Sequence, residues 1–249
     1  MNWELTHRRA VITGAANGIG RATALALAAE ATRLLVVDLD AERLAETAQV
    51  CRSAGALQVE TFAGDLTVVE NVRLVGELVR KQLGGLDLLV PAAGIIERDP
   101  IEQLSDEHWD RVMNINVRAV FQLTRELLPQ MADRGSIVLF SSDAGRRGSP
   151  GKAAYATSKA AIIGLARSIV GEVGSRQIRV NVVQPGFIET QMNARTFLEK
   201  GDVLAAETPL GRHGRPEEVA QVVAFLCSDA SSFVNGIVLP INGGHYMAG

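Results

Sequence analysis

Tyr155 and Lys159 stand four residues apart at the start of the stretch YATSKAAIIGLARS. On a helix that spacing puts both side chains on one face. A phenol titrates near about 10, roughly three units too high for a base at neutral pH, and a neighbouring ammonium favours its ionised form. The pair is therefore suited to moving a proton. Such pairs also occur on ordinary helix surfaces, so its meaning depends on what surrounds it. Ser142 lies thirteen residues earlier, at the end of the apolar run SIVLFS. A hydroxyl there can hydrogen-bond a substrate oxygen as charge develops on it.

A second group of residues is suited to binding phosphate. A β-branched run leads into Thr13-Gly14-Ala15-Ala16-Asn17-Gly18-Ile19-Gly20, after which a helical pattern begins. Glycines at such a turn let the backbone approach a pyrophosphate, and the helix N-terminus offers unpaired N–H groups to it. The competing reading is a glycine turn without a ligand; the strand-then-helix setting favours the ligand. Asp38 ends the next apolar run, eighteen residues beyond Gly20. A carboxylate there can accept from the two adenosine ribose hydroxyls and repel a 2′-phosphate. Positions 17 and 39 are Asn17 and Leu39, so no basic residue stands there to clamp a phosphate. NAD is expected over NADP.

These groups need a scaffold that brings them together. Residues 10–13, 34–38, 57–62, 86–91, 136–141, 178–183 and 237–241 read as strands, and several are apolar at nearly every position. Such runs fit strands buried on both faces of a parallel sheet. Between them lie helix-length segments at 18–30, 40–54, 67–83, 106–132, 152–173 and 216–228. The alternation predicts a single α/β, Rossmann-like, doubly wound domain over residues 1–249, with seven parallel strands and helices on both faces. The stretch 185–215 breaks the pattern and reads as a substrate flap, either a mobile lid or a pair of small surface helices.

Composition narrows the possibilities. The chain has 249 residues, 47% of them apolar but only 4% aromatic, so the core must be built from Ala, Val, Leu and Ile. Net charge is −3 and no basic block is present, which argues against nucleic acid as a partner. Cys51 and Cys227 are far apart and belong to no Cys/His cluster, so neither a metal site nor a disulfide framework is expected. No apolar run suits a signal peptide or a membrane span, and cytoplasmic residence is the default expectation.

The ordered motifs resemble those of short-chain dehydrogenases/reductases along essentially the whole chain. They are TGAANGIG at 13–20, Asp38, Asp65-Leu66, Asn116 within MNINV, Ser142, Tyr155-x-x-x-Lys159, Pro185-Gly186-Phe187-Ile188-Glu189-Thr190 and Asn242-Gly243-Gly244. The resemblance implies hydride transfer between NAD(H) and a secondary alcohol or ketone, with Tyr155 as general acid/base. Ser142 would orient the substrate oxygen. Lys159 would bind the nicotinamide ribose and depress the phenol pKa. Asn116 would hold a kink and a water that continues the proton relay. Asp65 and Leu66 would contact adenine, and Ile188 and Thr190 the carboxamide. Pro185, Gly186, Ala92 and Gly94 complete the expected cofactor contacts. Where the family usually has Asn-Asn-Ala-Gly, this chain has Pro91-Ala92-Ala93-Gly94, which removes a ladder donor and a side-chain hydrogen bond.

The expected substrate pocket includes Ser142, Asp143, Ala144, Ser149, Tyr155, Gln184, Phe187 and residues of 191–212. Arg146 and Arg147 could attract an anionic substrate or simply be solvated loop arginines. A polyol, a hydroxy ketone or a small cyclic alcohol is the first expectation. A 3-oxoacyl carrier-protein reductase is the alternative, although such relatives usually prefer NADP. A non-catalytic nucleotide-sensing or scaffold protein is a third reading, since fold does not dictate function. The apolar segments 216–228 and 232–238 suggest, by the same resemblance, a homotetramer or homodimer.

Overall fold

The computed structural model describes residues 3–247. Seven strands form one sheet: β1 Arg9–Thr13, β2 Arg33–Asp38, β3 Gln58–Ala63, β4 Leu86–Pro91, β5 Met131–Phe140, β6 Arg179–Pro185 and β7 Val238–Ile241. Their spatial order is β3-β2-β1-β4-β5-β6-β7, and every pairing is parallel. The strand order reverses between β1 and β4, which opens a crevice at their C-terminal ends.

Alternate strand residues feed two cores. Ile12, Leu34, Val36, Leu88 and Val90 pack with α1 (Gly18–Ala28), α2 (Ala41–Ser53) and α9 (Pro216–Cys227). Val11, Leu35, Val37, Leu89, Ile137 and Leu139 face the other way, toward α3 (Val69–Leu78), α5 (Ala119–Leu127) and α7 (Ala153–Val173). This is the period-2 alternation of a strand buried on both sides. Among the described buried apolar residues only Phe140 is aromatic, as the composition requires. Cys51 and Cys227 are buried, free thiols, and burial pushes them up to about 11 and about 12. Both are therefore unreactive near neutral pH.

Two sequence expectations are corrected. The helix expected over 106–132 is divided into α4 (Asp106–Met113), a π-helical turn Asn114–Arg118, α5, and a 3₁₀ turn Leu128–Gln130. It stops there because Pro129 has no N–H and restricts the residue before it. Consequently β5 starts at Met131 rather than at 136, with a register shift against β4 between Leu86 and Leu88. The segment after Pro185 carries a 3₁₀ turn Gln191–Asn193 and α8 (Ala194–Glu207), which bends at Lys200.

Candidate active site

A cavity of about 410 Å³ opens at the C-terminal ends of the strands. One wall is the turn after β1. Gly14 has φ +68°, and a side chain there would meet the Ala93 backbone at 2.8 Å; one at Gly20 would meet the Gly14 carbonyl at 2.1 Å. Only glycine fits either position. No side chain caps α1 at Asn17 and no acid stands in its first turn, so its first N–H groups are free to take an anion.

All the expected cofactor positions line this cavity: Gly14, Asn17, Gly18, Ile19, Gly20, Asp38, Leu39, Asp65, Leu66, Ala92, Gly94, Tyr155, Lys159, Pro185, Gly186, Ile188 and Thr190. They fit an extended dinucleotide, with the uncapped N-terminus at its pyrophosphate. Pro91 pairs only with Thr13 at the end of β4, and the Thr13 hydroxyl accepts from Ala93 N at 3.1 Å. That bond supplies the bracing put in doubt by the missing asparagines.

Asp38 is more occupied than the sequence suggested. Its Oδ2 accepts from Ala16 N at 2.9 Å, and its Oδ1 accepts from Leu39 N at 2.7 Å and Asp40 N at 3.2 Å. A carboxylate offers about four acceptor positions, so little capacity is left for ribose hydroxyls unless these bonds are shared. Arg43, which sequence reasoning missed, donates to Asn17 Oδ1 at 3.2 Å and Gln191 Oε1 at 2.7 Å. It joins α2, the glycine turn and the segment after β6. The only advance signal was a basic residue in the first turn of α2.

At the other end stand Ser142, Tyr155 and Lys159. Ser142 lies two residues past the end of β5, beyond the strand rather than on it. Tyr155 and Lys159 sit in the first two turns of α7, with the Lys159 ammonium 5.7 Å from the phenol ring centre. Burial pushes the phenol up, the hydrogen bond with Ser142 pulls it down, Asp143 opposes ionisation and Arg98 favours it. Lys159 was expected to lower the phenol, and the structure places it beside the ring. It is itself buried, donates to the Phe140 carbonyl at 3.2 Å, and is pushed down to about 8.

Asn116 is 1% exposed and does not line the cavity. It sits in the π-helical turn, the kind of local irregularity that re-aims a side chain at a functional site. Its Oδ1 accepts from Ile95 N at 2.9 Å, and its Nδ2 donates to Ile95 O at 2.9 Å and Ser158 Oγ at 3.0 Å. It ties the loop after β4 to α7. The expected pocket residues Ala144, Ser149 and Phe187 also lie outside the cavity wall. Phe187 packs edge-on to His245 at 4.9 Å, and the Ser149 carbonyl accepts from Lys152 N. Asp143 is buried and accepts from Gln184 Nε2 at 2.8 Å and from Asn242 Nδ2 at 3.1 Å.

The arrangement sets the glycine turn and the Tyr155 phenol on the wall of one cavity. A family model described as enoyl-(acyl carrier protein) reductase matches residues 14–246. A 3-oxoacyl-[acyl-carrier-protein] reductase of Thermotoga maritima is 40% identical, covering 94% of this chain and 96% of its own. Nodulation protein G of a Rhizobium species is 37% identical, covering 97% and 98%. The crystal structure of a Brucella melitensis protein, described as a short-chain dehydrogenase/reductase, glucose/ribitol dehydrogenase, superposes with a TM-score of 0.95 at 38% identity over 100% of both chains. This chain belongs to the short-chain dehydrogenase/reductase family of oxidoreductases.

Proposed function

We propose that the protein transfers a hydride between NAD(H) and the 3-oxo or 3-hydroxy carbon of an acyl substrate, with Tyr155 as general acid and base. The observation that carries this reading is the placement of Ser142, Tyr155 and Lys159 on the wall of a cavity whose far end is the glycine turn. A bound nicotinamide would supply or accept the hydride. Tyr155 gives a proton to the carbonyl oxygen in reduction and takes it back in oxidation, so one hydride and one proton interconvert ketone and alcohol. Ser142 hydrogen-bonds the same oxygen. Lys159 holds the nicotinamide ribose, and Asn116 positions Gly94, Ile95 and α7 around it.

The choice of an acyl substrate rests on the activity named for the Thermotoga relative. It displaces the polyol, hydroxy ketone or cyclic alcohol first expected. The polyol remains the second reading, because the Brucella neighbour is described as a glucose/ribitol dehydrogenase. Asp38 at the adenosine end supports NAD over NADP. The complete set of reacting groups speaks against a non-catalytic scaffold. Among the described residues no helix is long and apolar enough to cross a membrane. Residence in the cytoplasm belongs to the same proposal. A homodimer or homotetramer would cover Phe233, which stands fully exposed.

A nicotinamide absorbance assay tests the reading. The expected result is a kcat/KM for 3-oxoacyl compounds well above that for polyols and cyclic alcohols. A polyol preferred about tenfold would reverse the order of the two readings. No turnover with any alcohol, ketone or acyl compound would favour the scaffold.

A further inference from the structure

Asp143 is a buried carboxylate directly after Ser142, at the turn that opens α6 (Ala144–Arg147), and the proposed reaction gives it no part. Such a group stays out of water only where donors surround it. Residues 41 to 102 positions further along the chain supply them. Gln184 of β6 donates to its Oδ1 at 2.8 Å, and Asn242, the residue after β7, donates to both carboxylate oxygens at 3.1 Å. His245 Nδ1 lies 3.4 Å from Oδ2; a carboxylate only accepts, so that nitrogen carries the proton. The donors are themselves fixed. Asn242 Oδ1 accepts from Gly244 N at 3.1 Å, and the His245 ring packs against Phe187 with ring centres 4.9 Å apart.

This cluster touches the cavity wall from behind. Ser142, Pro185 and Gly186 line the cavity, whereas Asp143, Asn242 and His245 do not. On one side the Asp143 N–H donates to the Pro185 carbonyl at 3.4 Å, and its carbonyl accepts from Arg146 N at 3.1 Å. The Ser142 carbonyl accepts from Gly145 N at 2.9 Å, and its hydroxyl oxygen accepts from Ala144 N at 3.3 Å. Holding Asp143 therefore holds the turn that carries the Ser142 hydroxyl. On the other side lies Gly186, where a side chain would meet Asn242 Cβ at 2.6 Å and Asp143 Oδ2 at 3.3 Å. Ser142 stands beyond the end of its strand, so the β-ladder does not fix it. A misplacement of about 1 Å at a reacting centre costs on the order of 10²-fold in rate.

We infer that Asp143 is a positioning residue, and that the C-terminal segment, through Asn242 and His245, holds it so that the Ser142 hydroxyl stays aimed at the substrate oxygen. The inference rests on the proposed function for the part that Ser142 plays. It gives residues near the end of the chain an effect on the reaction without contact with the cavity. Asn242 suits this task because an amide donates where a second carboxylate would repel Asp143.

A double-mutant cycle tests this, with two readouts. The first is kcat for reduction of ethyl 3-oxobutanoate by NADH. The second is calorimetric affinity of the same ketone for the protein saturated with NAD, a combination that has no hydride to transfer. Asn242→Asp and His245→Leu should each lower kcat about tenfold and weaken ketone binding about threefold, with NAD affinity unchanged. His245→Asn, which can still donate to Asp143, should retain most of both. In the Ser142→Ala background neither Asn242→Asp nor His245→Leu should have a further effect, because the hydroxyl they aim is already gone. Equal losses with and without Ser142→Ala would overturn the inference, as would a fall in NAD affinity as large as the fall in kcat. If Asn242→Asp does not fold, His245→Leu, nearer the chain end, decides by the same comparison. If the cycle holds for ketone binding but no ketone oxidises NADH, the positioning role stands and the proposed reaction fails. No binding of the ketone would overturn both.

Discussion

At the proposed adenosine end of the cavity Asp38 accepts three backbone N–H groups and stays partly exposed, whereas at the proposed catalytic end Lys159 is 8% exposed with one carbonyl as its partner. The first end is assembled from backbone groups that satisfy one another. The second end buries an ammonium and half-buries a phenol, which opposes the charged form of each. Binding can be built from satisfied groups, but proton transfer needs groups whose ionisation is finely balanced, and that balance costs stability.

The largest expected effect bears on the catalytic end alone. Tyr155→Phe should lower kcat by roughly 10²–10⁴-fold while NADH affinity is unchanged, because one proton-transferring oxygen is lost. Stopped-flow turnover and fluorescence titration of NADH check this. Half the wild-type kcat in the variant would remove Tyr155 from the mechanism.

Lys159→Met tests whether that end costs stability. A fall in the lysine pKa from 10.5 to about 8 corresponds to about 3 kcal/mol lost from the folded state. Below pH 8 both folded and unfolded chains carry the proton, and the cost is fully present. Between about 8 and 10.5 only the unfolded chain binds it, so wild-type stability rises with pH relative to the variant. Urea melts at pH 7 should show Lys159→Met to be the more stable protein despite its lost activity, with the gap closing toward pH 10. A less stable variant at pH 7 would show that the ammonium is well compensated.

The adenosine end is tested by cofactor choice. Like charges about 4 Å apart cost on the order of 4 kcal/mol at an effective dielectric near 20, before relaxation and screening. Arg43 stands at the same end and offsets part of that repulsion. NAD should therefore exceed NADP about tenfold in kcat/KM, and Asp38→Ser with Leu39→Arg should narrow or reverse the ratio. Equal use of both cofactors by the wild type would show that Asp38 does not face the ribose.

The smallest effect lies away from both ends. Phe233→Ser should change the unfolding free energy of the single subunit by no more than about 0.5 kcal/mol, because the ring is fully exposed there. In multi-angle light scattering the variant should shift toward smaller species than the wild type. Unchanged mass would place any subunit interface elsewhere.

The sequence by itself determined the seven strands, the βαβ alternation, the glycine turn and the Tyr155–Lys159 spacing. All of these are written within one turn or one strand, where periodicity and backbone sterics act. Pro129 marked where the segment 106–132 ends, but nothing in the sequence showed the π-helical turn at Asn114–Arg118. Tertiary structure alone brought Arg43 to Gln191, 148 residues away, Asp143 to His245, 102 residues away, and Asn116 to Ser158, 42 residues away. It also decided that Lys159 is desolvated. Burial depends on which loops the parallel sheet gathers at one edge, and no local pattern in the chain encodes that meeting.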